Sequence, residues 1–547
     1  MKPPFLKTLG LSRRSLVKYA GLAGGMAALN GSPGFRRMLY AKGGEPVSPP
    51  TTPFLAPLPI APLASPATVS GFVPSPGRAI PANAVIYQID IKAGLHSFHP
   101  QLPLNSIWGY NGHTPGPTFV ADAGTPVLVR FTNLLPQNDP VGIGLPIQSI
   151  HRHGGYQAPQ DDGYPADFFA IGGSKDYLFF NPPEDSNLWY HDHSLDITSE
   201  NVYRGLSGLY LIFDERDSQL GELDANPNAL RLPGQMVNGA RKYDIPMVFQ
   251  DRQFNADGFL IYDSFNHNGF IGDKFSVNGA IQPFLDVEPR KYRFRFLNGS
   301  NARQYEFVLR DGTADRPFDF IIGTDDRLLE HPLPNVEAFR IAPAERVQAV
   351  IDFSQYAGKD IYLVNRLEQT EGRRPNGVVY PGTPILKFRV AAGRVADPSK
   401  VPATLRPIPP DERPEAVLAR GVRVKRQFKF GRGGGAWVIN GELFDENRID
   451  AKPVTDEYEI WEFDSGGGWE HPVHVHLSNF FIISRDGKAP PLLERGWKDA
   501  VVVGGDRGSA QILIKFSGFT GKYVFHCHTT EHEDARMMTN FEVQPKR

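Results

Sequence analysis

Cys527 is the only cysteine in the chain's 547 residues. No intramolecular disulfide is possible, so stability has to come from packed sheets and not from covalent staples. An excess of charge of one sign is also missing: 58 Lys and Arg face 60 Asp and Glu, a formal net charge of −2. That balance points to neither nucleic acid nor an anionic membrane surface as partner. Methionine is scarce, with only Met236, Met247, Met537 and Met538 beyond the N-terminal region. The apolar stretch at residues 19–29 is glycine-rich and well short of the ~20 residues of a spanning helix. Glycine (55) and proline (49) are plentiful. They punctuate short runs such as Val127–Phe131, Gly208–Phe213 and Tyr292–Phe296, the pattern of an all-β sandwich or barrel. The length exceeds one domain and suits three with connections.

The lone cysteine lies in His526-Cys527-His528, followed by His532 and Met537. Two imidazoles and one thiolate in a plane, with a weak thioether above, make a blue copper site, because soft sulfur stabilises both oxidation states of copper. Side chains alternate faces along an extended strand, so Cys527 points one way while His526 and His528 point the other. One tripeptide can thus join two metal sites. Three further pairs share the spacing of two: His151 with His153, His191 with His193, and His474 with His476. Both rings of such a pair leave one face, roughly 7 Å apart at the backbone, a spacing that suits clamping a metal cluster. With His526 and His528 they make eight imidazoles. His471 has odd parity relative to His474 and precedes Pro472, whose kink is expected to turn it toward Cys527. A single His-x-His pair is weak evidence, but here ten of fifteen histidines fall into one pattern. His96, His99, His113, His267 and His331 remain as solvated or turn residues. Zinc is a poor match, since its structural sites usually take four ligands with more than one cysteine and its catalytic sites three.

These four motifs resemble those of the multicopper oxidases, and within them the bacterial spore-coat laccase and phenoxazinone synthase branch. The likeness extends over about residues 85 to 547. It includes Trp108–Gly112 with Pro115–Pro117, Trp189–His193, Asn201–Gly205, Val287–Phe294 and Ala342–Arg346. The resemblance implies four copper ions. His471, Cys527 and His532 would hold the type 1 copper with Met537 axial. His151 and His474 would hold the type 2 copper, and His153, His191, His193, His476, His526 and His528 the type 3 pair. It also implies that Asp162 and Glu533 deliver protons to dioxygen. Arg152 departs from the Trp or Leu that relatives often place between the first two histidines; it is expected to face away from the cluster and to alter its rim.

The implied fold is all-β, three cupredoxin-like Greek-key β-sandwich domains. The first is expected at 80–216 with the early histidine pairs, the second at 242–391 without ligands and holding the others apart, and the third at 422–547 with the remaining ligands. The trinuclear cluster then falls between the first and third. Residues 42–79 read as a Pro-rich linker, flexible or polyproline-like over 46–66.

The implied activity is a laccase-like oxidation of phenolic or aminophenolic donors, one electron at a time, coupled to reduction of dioxygen to water. A metallo-oxidase acting on Mn(II), Fe(II) or Cu(I) is the alternative; the few methionines weigh against soft Cu(I). A non-catalytic exported cupredoxin protein is the third reading, disfavoured because every ligand position is retained. Ser12-Arg13-Arg14-Ser15-Leu16-Val17-Lys18 and the apolar stretch behind it, within residues 1–41, resemble a twin-arginine export signal. That implies the twin-arginine machinery as a partner, a periplasmic or secreted product and no membrane anchor after processing. Replacing Arg13 and Arg14 together by Lys keeps the charge but removes the pair that the export receptor reads. Cell fractionation should then find the activity in the cytoplasm, and unchanged export would refute the signal.

Overall fold

The computed structural model describes residues 47–68, 71–72, 79–237 and 240–546. The twin-arginine segment lies outside the described residues. Six principal sheets pair into three successive sandwiches, and each sandwich encloses its own apolar core. The first pairs two four-stranded sheets from strands between Val85 and Phe213. The second pairs a seven-stranded with a six-stranded sheet between Asp244 and Val390. The third pairs five strands with four between Val424 and Val543. One device recurs in all three: the opening strand of each sandwich runs parallel to a later one, Val85 beside Val127, Asp244 beside Arg293, and Val424 beside Glu459. Parallel neighbours need a crossover, and that gives the sandwiches their Greek-key connectivity.

Burial follows position. Along Val85–His96, Tyr87, Ile89 and Ile91 are buried and the residues between them less so, as expected of a strand with one face in a core. By contrast, Ser186–Asp192 and Glu470–Val475 are buried at every position. These strands lie where sandwiches abut, and they carry histidines.

The Pro-rich segment is not a flexible linker over its described part. It runs extended from the second sandwich to the first: Leu58 N–H donates to Phe284 O (2.6 Å) and Ala64 N–H to Thr118 O (2.8 Å), while Leu58 is buried in the second core. Ser48 adds a backbone N–H bond to Asp273 Oδ2 (2.8 Å). Proline removes donors but leaves every carbonyl, so a Pro-rich chain can still pair intermittently along an edge. The second sandwich, in turn, does not hold the others apart. It clamps them: Arg346 of the second sandwich grips Asp499 of the third, and that carboxylate reaches His153 of the first.

Arg152 does face away from the histidines, but into the first sandwich and not onto a rim. Its guanidinium is fully buried between Phe179 (4.5 Å) and Tyr210 (4.9 Å). It donates to Gln157 Oε1 (3.1 Å), Asn181 Oδ1 (2.8 Å), Phe180 O (3.0 Å) and Tyr156 O (3.3 Å). Five planar donors satisfy several buried acceptors that no apolar side chain could serve. Arg152→Leu should therefore lower unfolding stability by about 3 kcal/mol or more, because several buried acceptors lose their partner. An arginine on a solvated rim would leave stability within about 0.5 kcal/mol; thermal and denaturant unfolding of the variant distinguishes the two.

Candidate metal centre

Strand register brings the histidines together. Ile150–His153 pairs antiparallel with Ser186–Asp192 so that His151 lies opposite His191. In the third sandwich Glu470–Val475 pairs with Gly521–Cys527, placing His474 opposite His526 and Val473 opposite Cys527. Period two then sorts the side chains: His474, His476, His526 and His528 leave one face, His471 and Cys527 the other. The strand continues through Pro472 without a break, so parity alone turns His471 toward Cys527 and no kink is needed. The histidine-bearing faces of the two sandwiches meet, and all eight imidazoles are buried.

The meeting point holds three donor groups. His151 Nε2 lies 3.3 Å from His474 Nε2. His193, His476 and His526 form a triangle of Nε2 atoms with sides of 3.2 Å. His153, His191 and His528 make a third compact set. Protons cannot satisfy this arrangement. His151, His474 and His191 use their Nδ1–H on the carbonyls of Asp162 (2.6 Å), Asp499 (2.7 Å) and Asp192 (2.8 Å). His476 Nδ1 is spent on Asp162 Oδ2 (2.7 Å), and His526 Nδ1 on Cys527 O (3.1 Å). His153 differs: its Nε2 donates to Asp499 Oδ1 (3.0 Å), leaving Nδ1 as the free atom. His191 Nε2 and both His528 nitrogens likewise lack a partner. The atoms facing the centre are therefore largely lone pairs pointing at one another, which is unfavourable unless a cation accepts them. The middle of the Nε2 triangle is roughly 1.8 Å from each corner, close to the roughly 2.0 Å of a metal–imidazole bond. Burial also drives these imidazoles toward the neutral form that metals bind, His191 down to about 4 and His151, His153, His193, His474, His476 and His528 well below their usual value.

On the opposite face, Cys527 Sγ lies 3.5 Å from His471 Nδ1 and 3.6 Å from His532 Nδ1, and the two nitrogens are 3.2 Å apart. All three residues are buried, and burial pushes the thiol up to about 12 and His471 down to about 3. A neutral thiol that ionises only for a cation, flanked by neutral imidazoles, is a donor set suited to copper. Met537 is buried in the same core cluster as Cys527. Its N–H donates to His532 O (2.9 Å) and its carbonyl accepts from Cys527 N–H (3.1 Å). Met538 packs in a different cluster, with Leu195 and Val524.

Both carboxylates singled out from sequence stand beside the imidazoles. Asp162 closes a turn before Gly163 and also bridges two histidines, His151 through its carbonyl and His476 through Oδ2. Gln157 Nε2 donates to its Oδ1 (2.9 Å), and Gln157 is itself held by Arg152. Glu533 brings one oxygen to 3.2 Å from His193 Nδ1 and the other to 3.2 Å from His526 Nδ1, within ion-pair distance though off the hydrogen-bond direction. Sequence reasoning missed Asp499, which supports His153 and His474 and is gripped by both arms of Arg346 (2.6 and 2.5 Å). Asp499 belongs to no motif. Arg346 was visible inside Ala342–Arg346 but without a role. Of the remaining histidines, His99 is buried in a turn, not solvated, with Nε2 on Thr52 O (3.0 Å).

Comparison with known proteins agrees with this geometry. Models of the multicopper oxidase family match residues 93–217 and 408–547. The chain is 37% identical over 509 residues to a bilirubin oxidase of Albifimbria verrucaria, covering 91% of this chain and 82% of that protein. It is 32% identical over 517 residues to a laccase of Bacillus subtilis, covering 84% and 94%. Among solved structures, a laccase from Pediococcus acidilactici superposes with a TM-score of 0.74 at 27% identity, covering 92% of this chain and 96% of that one. Buried imidazole and thiol sets of this composition, on a fold and sequence shared with copper enzymes over nearly the whole length, make the chain a copper-binding oxidoreductase of the multicopper oxidase family.

Proposed function

We propose that the protein is a laccase-like oxidase that takes electrons singly from phenolic or aminophenolic donors and passes four of them to dioxygen. The observation that carries this reading is the pair of donor sets on opposite faces of the strand ending at Cys527. His471, Cys527 and His532, with Met537, would hold a type 1 copper. His151 and His474 would hold a type 2 copper, and the sets His153, His191, His528 and His193, His476, His526 a type 3 pair. Copper, once bound, supplies the reversible one-electron chemistry that no side chain here provides. The chain does the rest. Cys527 and its neighbours His526 and His528 give the shortest covalent route between the two donor sets. Asp162 and Glu533 set carboxylate oxygens against imidazoles of the larger set, where each can hold or pass a proton as dioxygen is reduced. The names of the similar proteins, bilirubin oxidase and laccase, support an organic donor. We propose as well that the Arg13–Arg14 segment directs the protein to the periplasm or medium, the test of which is given above.

Elemental analysis of loaded protein should find four coppers per chain, and Cys527→Ser should abolish the blue colour while leaving the larger set able to bind metal. Zinc, or a single copper, would overturn the assignment. Oxygen uptake tested against phenols, aminophenols, Mn(II), Fe(II) and Cu(I) identifies the donor; turnover with metal ions alone would replace the laccase-like reading.

Asp162→Asn should separate the two half-reactions, since an amide keeps a hydrogen bond but shuttles no proton. In stopped flow, anaerobic bleaching by a good donor is expected to stay fast while recovery of the colour with dioxygen slows. Slow bleaching with normal recovery would place Asp162 on the donor side.

A further inference from the structure

The surface next to His532 carries two cations on an aromatic floor. Trp437 is buried with its ring centroid 3.9 Å from that of His532, and half-buried Trp469 packs edge-on at 5.6 Å from His532 and 4.7 Å from Trp437. The two indoles thus separate His532 from the surface. Over them lies Arg432, whose guanidinium is 4.1 Å from the Trp437 ring and 5.3 Å from that of Trp469. Arg373 reaches the same indole from another loop, 5.8 Å from its centroid. Both arginines are exposed. Their hydrogen-bond partners are neutral: Arg432 donates to the Asn268 amide oxygen, and Arg373 to Gly467 O (2.5 Å) and Gly468 O (3.3 Å). Neither has an ion pair among the described residues, whereas the adjacent Arg374 is paired with Asp506 (2.7 Å). Beside this floor runs the loop of His267, whose carbonyl accepts the Trp437 indole N–H (2.5 Å), and two residues before it Phe265 is 75% exposed.

Those neutral partners take one N–H of Arg432 and two of Arg373, so each guanidinium over the indoles retains the N–H groups of Nη1, which can meet a carboxylate or sulfonate with charge-assisted bonds. Two such guanidiniums at the half-buried Trp469 ring make a receptor for a flat molecule with an anionic arm. The same charges repel a divalent cation. We propose that the electron donor of this oxidase is an anionic aromatic, a phenol or related ring system bearing a carboxylate, seated on Trp469 by Arg432 and Arg373. This rests on the laccase-like reading above and narrows it. Each donor molecule loses one electron and its phenolic proton to become a phenoxyl radical; four such losses supply the electrons, and four protons from solvent join them, to turn one dioxygen into two waters. The arginines hold the anionic arm, which is not itself altered.

The test compares three donors that share one phenolic ring: syringol, its carboxylate syringate, and its aminomethyl analogue. Wild-type holoenzyme is compared with Arg432→Gln, Arg373→Gln and the double variant. Because each donor is referred to its own wild-type value, intrinsic differences in ease of oxidation cancel. The syringate-to-syringol ratio of kcat/KM should fall about tenfold in the double variant, the loss expected for a charge-assisted contact. The ratio for the aminomethyl analogue to syringol should rise. Added salt should lower the syringate ratio in the wild type and scarcely move it in the variant. An equal fall for all three donors would mean that the arginines only hold the loops together, and the proposal would be overturned. So would an unmoved syringate ratio. If the wild type oxidises none of the three while oxidising a metal ion, the laccase-like reading is what has failed. Calorimetric titration of holoenzyme with trimethoxybenzoate against its amide then decides the anion site separately: selective binding lost in the double variant supports it, and no binding by the wild type overturns it.

Discussion

A buried ion pair, Arg346 with Asp499, is the joint on which the metal centre depends. Arg346 comes from the second sandwich and Asp499 from the third, while the same carboxylate reaches His153 of the first. One salt bridge thus fixes all three bodies at the place where their histidines converge. Such a pair forgoes much solvation, and its net contribution to stability can be small. Its value here is directional. The bidentate fork sets the orientation of Asp499, whose Oδ1 selects the tautomer of His153 and whose backbone carbonyl selects that of His474. Lys498, paired with Asp325 and Glu345, repeats the device one residue earlier. The sandwich without histidines therefore acts as the clamp for those that have them.

Much of this was legible in the sequence because it depends on short-range periodicity. The spacing of two inside each His-x-His pair and the odd offset of His471 decide which face each ring leaves, whatever the rest of the chain does. Strand runs bounded by glycine and proline likewise announced an all-β fold. Beyond the ligand sets that the family resemblance implied, contacts between elements far apart in the chain could not be read. Asp499 is one carboxylate among many until the register of its strand brings its carbonyl to His474. Trp437 looks like an ordinary core residue until the fold sets it against His532. The surroundings of the residue between the first two histidines were equally hidden. Alternation says that Arg152 leaves the face opposite His151 and His153, but whether that face meets water or a second sheet is a property of the whole sandwich.

Arg152 also shows how a core tolerates a charge. Two aromatic rings cover its faces and carbonyl and amide oxygens meet its edge, so neither part is left bare. One of those acceptors, Gln157, holds Asp162 in turn. The carboxylate beside the imidazoles is thereby anchored to the interior of the first sandwich through two side chains.

The Pro-rich strap over residues 54–64 has a consequence for the molecule's behaviour in company. The strands it touches, Phe284–Val287 and Gly116–Asp122, are the outermost of their sheets, and an outermost strand offers unpaired backbone to any other chain with a free edge. The strap meets each with an isolated bridge, and its prolines leave too few N–H groups for a further strand to add on its outer side. It ends sheet growth at both places, so that these two edges of open sandwiches are closed to a neighbour by the chain itself.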